Sequence, residues 1–342
     1  MTGATAVKRA LHHSGLLALA RLARQRVRGL VLRYHALTDG PAPAPYAAAD
    51  VCLSVDAFRL QMAFVRRAYR VVGLDELVAA AAAGSRLPPR ALAVTFDDGY
   101  ADNHRLGLPV LRALGLTATV YVATGPLDGG PPLWMCSVRA LVMGASGPTL
   151  DVPGMAPMTL GPVAEREPVV RALTRALVPL ASAERAACLT AAAAAAGVDL
   201  GHALAGAMLS WDQVRELAAS GWTIAAHTVT HPNVVLTPPA EAEAEIAGSR
   251  DALAAAVRAP IEHFAYPNTG GRHRYFDADA AALVRRLGFR SAATSRPGAL
   301  HPGTDVFALP RIGVTPRLGP VTELAPTLER QRLSRDPRLL ES

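Results

Sequence analysis

Residues 91–103 read ALAVTFDDGYADN, an apolar run that stops at two adjacent acids, Asp97 and Asp98, followed by Gly99. Residues 91–96 show no polar alternation, which fits a strand covered on both faces, the form that parallel sheets take. Two neighbouring carboxylates repel each other, and in a continuing strand successive side chains point to opposite faces. At the mouth of a sheet, however, such a pair can divide two tasks between two acids.

Outward from this stretch, similar runs recur: LVLRYHAL (30–37), YRVVGL (69–74), TATVYVAT (117–124), WTIAAHT (222–228), HFAYP (263–267), RSAATS (290–295) and FALPRIGV (307–314). Helix-patterned stretches separate them. SVDAFRLQMAFVRRA opens on Ser54 as an N-cap, NHRLGLPVLRALG stops at Gly115, and SWDQVRELAASG runs from Ser210 to Gly221. PAEAEAEIAGSRDALAAAVRA and DADAAALVRRLG complete the set. Strand alternating with helix predicts parallel βα units, and their number favours a barrel over an open sheet. No GxGxxG follows the first strand, which argues against a dinucleotide fold.

Residues 125–209 break the rhythm with GPLDGGPPLW and LTAAAAAAG. They read as a partly helical insertion between two core strands. On a barrel, an insertion after a strand's C-terminal end overhangs the active-site face. A lid or substrate-selecting subdomain is expected, with a spacer as the alternative. The tail, 321–342, is expected to be frayed or a surface helix.

The 342 residues suffice for one large domain or two ordinary ones. Three widely spaced cysteines, Cys52, Cys136 and Cys188, form neither a disulfide framework nor a CxxC metal site. The formal charge is +7, yet Lys8 is the only lysine, so arginine carries nearly all of the positive charge. With alanine so abundant, this reads as compositional bias. No basic stripe interleaved with aromatics and no Gly-rich phosphate loop is present, so nucleic acid is not an expected partner.

Residues 1–29 form a basic amphipathic segment in which Leu11, Leu19, Leu22 and Val27 alternate with Arg21, Arg24, Arg26 and Arg28. The apolar run from Gly15 to Ala20 is too short to span a bilayer, and no small-residue cleavage site follows it cleanly. The expectation is a cytoplasmic protein with this helix packed against the domain. Peripheral contact with an anionic membrane is the alternative.

A second polar cluster ends another strand: IAAHTVTHPN, with His227 and His231. Four residues apart, two imidazoles converge on one ion if the segment turns helically. On a barrel this strand end shares a rim with Asp97 and Asp98. Two histidines and one carboxylate are a common catalytic metal set that leaves positions open for water and substrate. One aspartate would then bind the metal, and its neighbour would take a proton from metal-activated water.

TFDDG followed by HTVTH resembles the first two motifs of the polysaccharide deacetylases, the NodB-homology group or carbohydrate esterase family 4. LRYHALTD resembles an early strand of that family, FAYPN sits where its third motif is expected, and LPRIGV falls near its last. The resemblance covers about residues 30–314 with the insertion set aside. It implies a distorted (β/α)7-type barrel over 30–320 and one divalent metal ion, zinc first, with cobalt, nickel or manganese as alternatives. It implies hydrolysis of an N-acetyl group from an amino sugar or glycan. By motif position it implies Asp97 as general base and Asp98, His227 and His231 as metal ligands.

The departures from the family pattern are specific. The third motif usually reads Arg-x-Pro-Tyr; here it reads Ala265-Tyr266-Pro267-Asn268. Arg311 is preferred over Arg290 to supply the missing charge beside the base. The family's tyrosine donates a backbone N–H to the oxyanion, and Asn268 keeps that donor, so Tyr266, Pro267 and Asn268 form the expected substrate and oxyanion segment. The last motif lacks its histidine. His35 is the first candidate for general acid, then His301 and His104, with Asp97 itself or a metal-bound water as alternatives. Trp134, Trp211 and Tyr266 are candidate stacking faces for a sugar, with core packing as the alternative role. Three other functions stay open: a glycan-binding module with a degenerate site, a hydrolase of another amide or an O-acetyl ester, and a peripheral membrane protein.

Overall fold

A computed structural model describes residues 28–40, 43–268 and 273–333. The basic amphipathic segment therefore lies almost wholly outside the described residues. Seven parallel strands succeed one another: β1 (Leu30–Tyr34), β2 (Ala91–Phe96), β3 (Thr119–Val122), β4 (Thr223–Ala226), β5 (His263–Ala265), β6 (Ser291–Ala293) and β7 (Ile312–Gly313). Their order in the sheet is β6-β5-β4-β3-β2-β1-β7, and a short strand, Arg70–Val71, pairs with the start of β2. The segment before β7 joins the two edges. Leu309 bridges to Ala293 of β6, while Ile312 pairs with Leu32 of β1. The sheet thus curls into the distorted barrel expected from the sequence.

Apart from β2, each strand is shorter than the apolar run that marks it, at one end or at both. Helices fill the crossovers: α1 (Val55–Ala68), α2 (Leu74–Ala82), α3 (Leu108–Ala113), α4 (Trp134–Gly144), α5 (Glu167–Leu177), α6 (Ser182–Ala196), α7 (Trp211–Ala219), α8 (Pro239–Val257) and α9 (Ala278–Arg286). The Ser54 hydroxyl caps α1 by accepting from Ala57 N at 3.2 Å. Ser210 and Gln213 form a reciprocal capping box at α7.

The strands divide the core by period two. Outward residues, among them Leu32, Tyr34, Val94, Phe96, Val120 and Phe264, pack with the helices. Inward residues form a second cluster: Val31, Ala93, Tyr121, Ala225, Ala265, Ala293 and Leu309. Alanines dominate this interior, so the barrel closes tightly around the Tyr121 ring. Leu74, Leu77 and Val78 of α2 join the same cluster from the N-terminal end of the strands, as a floor.

The insertion has its own core. Trp134, Val138 and Leu141 of α4, Leu173 and Leu177 of α5, and Leu189 of α6 pack together. Of the tail, Val321–Leu333 form a helix, α10, whose Leu324 and Leu328 are buried in the main core, and residues 334–342 lie outside the described residues. No helix among the described residues is long and apolar enough to cross a membrane.

Candidate active site

The inward register that fills the barrel with alanine continues at its C-terminal end with polar side chains. Counting on by twos from Val31, Ala93, Ala225, Ala293 and Leu309 reaches Arg33, Thr95 and Asp97, His227, Ser295 and Arg311. Arg33, Asp97, His227 and Ser295 line a cleft of about 300 Å³, together with His35, Asp98, His231 and Asn268.

Asp97 still belongs to the ladder, its N–H donating to Tyr34 O at 3.0 Å. Arg311 grips its carboxylate with both arms of the guanidinium, Nη1 to Oδ1 at 2.6 Å and Nη2 to Oδ2 at 2.8 Å. The side chains are 0% and 4% exposed, so this is a buried, bidentate ion pair. Arg311 is itself held by Nε donating to Thr294 O at 2.9 Å and Nη1 to Thr95 Oγ1 at 3.3 Å. Burial pushes the Asp97 carboxyl up, but the charge of Arg311 and its hydrogen bonds outweigh it. The carboxyl is held below its ordinary range and is ionised at neutral pH. Arg290, the other candidate, pairs with Glu262 at 2.9 Å, away from the cleft.

Asp98 would point away from Asp97 if the strand continued. Instead its backbone turns left-handed, with φ of 75°, and both carboxylates reach the same cleft. Gly99 follows with φ of 83°, a conformation that favours glycine, and a Cβ there would also crowd Val122 Cγ1 at 3.0 Å. Gly99 O accepts from Leu209 N at 2.9 Å, and Ala101 N donates to Ala207 O at 2.9 Å, which pins the turn to the end of the insertion.

The histidine pair is not brought together by a helical turn. After β4 the chain forms a tight loop with Thr228 at φ 66° and His231 at φ 59°. The Thr228 hydroxyl accepts from His231 N at 3.0 Å and donates to His227 O. Glu245 of α8 accepts from Val229 N and Thr230 N, each at 2.8 Å, and from the Thr230 hydroxyl at 2.6 Å. This clasp sets the two imidazole centroids 4.7 Å apart. Left-handed backbone at a non-glycine residue costs about 1–3 kcal/mol, and Asp98, Thr228 and His231 concentrate three such residues at one place.

The donor set fits a divalent cation. His227 Nδ1 lies 2.8 Å from Ala265 O, and a carbonyl only accepts, so that nitrogen carries the proton. In the neutral ring, Nε2 then presents a bare lone pair to Asp98 Oδ1 at 3.4 Å, a repulsive pairing unless a cation lies between them. His231 Nε2 faces the same oxygen at 3.3 Å, and burial lowers its pKa, which favours the neutral ligand form. Donors about 2.0–2.1 Å from a shared tetrahedral centre lie roughly 3.3 Å apart, which matches both separations.

His35 lines the cleft with Nε2 4.0 Å from Asp97 Oδ2. Burial pushes its pKa down to about 4 against the pull of Asp98, so the ring is neutral at pH 7. His104 and His301 are elsewhere. His104 Nε2 contacts Glu216 Oε2 at 2.6 Å, and His301 follows Leu300, which pairs with Gly29 at the foot of β1.

The FAYPN segment divides. Tyr266, expected to face substrate, is fully buried, donates its hydroxyl to Phe307 O at 3.0 Å and packs on Phe264 and Phe276. It is a core residue because its even register points outward into the helix layer. Pro267 is buried beside it, and Asn268 reaches the cleft. Neither Trp134 nor Trp211 lines the cleft; Trp134 is buried and donates its indole N–H to His231 O at 3.0 Å. Sequence reasoning did not pick out Arg33, Tyr46, Ser295 or the insertion residues Glu167, Arg171 and Arg175, all of which line the cleft.

Comparison with known proteins agrees with this picture. Residues 180–292 match the family model described as polysaccharide deacetylase, a stretch that holds His227 and His231 but not the Asp97–Asp98 pair. No curated protein matches the chain. Among solved structures, the Streptococcus pyogenes deacetylase PplD superposes with a TM-score of 0.57 at 20% identity, covering 88% of this chain and 98% of that one. IcaB from Ammonifex degensii gives 0.56 at 19% identity, covering 90% and 97%. A polysaccharide deacetylase from Bacillus cereus gives 0.57 at 17%, covering 88% and 69%. Motif order, family model and barrel agree: this chain resembles the polysaccharide deacetylases, in fold over most of its length and in sequence over residues 180–292.

Proposed function

We propose that the protein is a metal-dependent hydrolase that removes the N-acetyl group from an amino sugar or glycan. One observation carries this reading: a buried, ionised Asp97 locked by Arg311 stands beside the Asp98–His227–His231 triad in a single cleft.

Asp98, His227 and His231 would hold one divalent ion, zinc first and cobalt, nickel or manganese as alternatives, and that ion supplies Lewis acidity toward the acyl carbonyl and toward water. Asp97 takes the proton from the attacking water. Arg311 occupies both of its oxygens from one side, which fixes the carboxylate plane and leaves its remaining lone pairs toward the cleft. His35 is neutral, so it does not arrive with a spare proton; Asp97 returns the proton it gained to the departing amine. Asn268 borders the acyl position from the third-motif segment. The Glu245 clasp and the Leu209–Gly99 contact hold the two ligand-bearing loops in register.

The test is acetate release from a panel of N-acetylated sugars and glycans, with O-acetyl esters and other amides beside them. Asp97→Asn should lose turnover while retaining bound metal. Intact ligands throughout the panel, with metal bound, would replace the hydrolase reading by that of a glycan-binding module.

A further inference from the structure

One wall of the cleft belongs to the insertion. Glu167, Val170, Arg171, Thr174 and Arg175 of α5 all line it. Their spacing is i, i+3, i+4, i+7 and i+8, a single helical stripe. Leu173 and Leu177 on the other side anchor the helix in the insertion's own core.

The charges on this wall do not cancel. Arg139 pairs with Glu167, and Arg311 pairs with Asp97. Asp98 faces the two histidines. Arg171 and Arg175 are exposed, and neither has an ion pair or hydrogen bond among the described residues. Across the cleft, Arg33 binds the Ser295 hydroxyl, and its buried Nε has no partner. Asp50 is the remaining acid against these three guanidinium groups. A neutral glycan offers two unpaired arginines at i, i+4 only uncharged hydroxyl and carbonyl acceptors and leaves their charge unmatched. A dianion matches it, because each planar guanidinium can present a bidentate fork to phosphate oxygens.

We infer, building on the deacetylase reading, that the substrate is an N-acetylated sugar bearing a phosphate or diphosphate group, which lies against Arg171 and Arg175 of α5. The cleft's volume of about 300 Å³ is at the lower end for small-molecule sites, which suits a single sugar with its attached phosphate. Two sources offer that chemistry, a nucleotide diphosphate sugar and a lipid-linked sugar phosphate.

The experiment uses the full chain loaded with zinc. Acetate release and calorimetric binding are measured for N-acetylglucosamine 1-phosphate, UDP-N-acetylglucosamine, a polyprenyl-phosphate-linked N-acetylhexosamine in detergent micelles, and neutral di-N-acetylchitobiose. Each is repeated with Arg171→Gln/Arg175→Gln and with the corresponding double lysine variant. The ratio of phosphorylated to neutral binding should fall about tenfold or more in the glutamine variant, and lysine should restore part of it. The preference should also weaken with added salt. Whichever arm is turned over identifies the source of the phosphate. Equal binding of phosphorylated and neutral sugars, unmoved by the glutamine pair, overturns the inference and leaves the deacetylase reading intact if acetate is still released. Arginine-dependent binding without acetate from any ligand keeps the anion site and overturns the deacetylase reading.

Discussion

Replacing Arg311 with methionine removes the charge, both hydrogen bonds to Asp97 and those to Thr294 O and Thr95 Oγ1, while keeping most of the side-chain length. Asp97 is then left in a site where its side chain is 4% exposed. Breaking a buried ion pair from one side costs about 3–5 kcal/mol, chiefly because the surviving charge is stranded. The cost depends on pH. In the native chain the Asp97 carboxyl is depressed, so the pair contributes stability above the unfolded carboxylate range and loses it as pH falls through the lower folded value. In the variant burial acts unopposed by Arg311 and the carboxyl moves up. Protonation then relieves the stranded charge, so the deficit is largest at pH 7 and shrinks as pH falls. Urea unfolding of the metal-free chain at pH 7 and pH 5.5 measures this. Asp97→Asn and the double variant complete a cycle whose coupling energy isolates the pair. In parallel, the acid limb of kcat/KM should move to higher pH. A deficit below about 1 kcal/mol at pH 7, or one that ignores pH, would refute the claim that Arg311 keeps a buried base ionised.

Metal analysis of chain purified without chelators should find about one divalent ion, lost in His231→Ala and in Asp98→Ala but kept in Asp97→Ala. A native chain that takes up no zinc when offered it would sink the metal assignment. Glu245→Ala removes three acceptor contacts from the loop between the histidines, so metal affinity should weaken by about 10–100-fold, as when groups that orient the ligands are lost. Unchanged zinc titration would show that the loop holds its shape without Glu245. Asp102 accepts from Leu37 N, Asn103 Nδ2 and the Tyr46 hydroxyl, yet burial dominates and raises its pKa to about 7. A raised carboxyl contributes stability that is complete below its unfolded value and lost as pH rises through about 7. Asp102→Asn should therefore flatten the stability profile between about pH 4 and pH 7, and an identical slope in both proteins would refute this.

Much of this was legible in the chain. Apolar runs without alternation marked the strands, and Ser54 and Ser210 marked two helix starts. The two motifs name the residues that meet in the cleft, and a base stripped of its usual arginine needs another, which points to Arg311. The rest was hidden for definite reasons. Motif position places Tyr266, immediately before Pro267, at the substrate, but its even register turns it outward. The same parity would have nominated Arg33, Thr95 and Ser295, had Asp97 and Arg311 been used to set it. The tight loop that takes the place of the expected helical turn between His227 and His231 depends on Glu245, remote in sequence, and no local pattern announces a left-handed threonine. The insertion's contribution lay in the spacing of Glu167, Arg171 and Arg175, which looks like any solvated helix face until its position over the rim is known.

The Asp97–Arg311 pair joins residues 214 positions apart. Arg311 lies on the segment that links β6 to β1, the last strand connection made in the sheet. During synthesis, Asp97 and both histidines emerge from the ribosome well before their arginine. Until residues 306–314 arrive, the nascent chain has the acid and the ligands but no means of holding that acid ionised in a closed interior. The cleft therefore matures only once this closing segment has been made, and its chemistry reports that the whole barrel has closed.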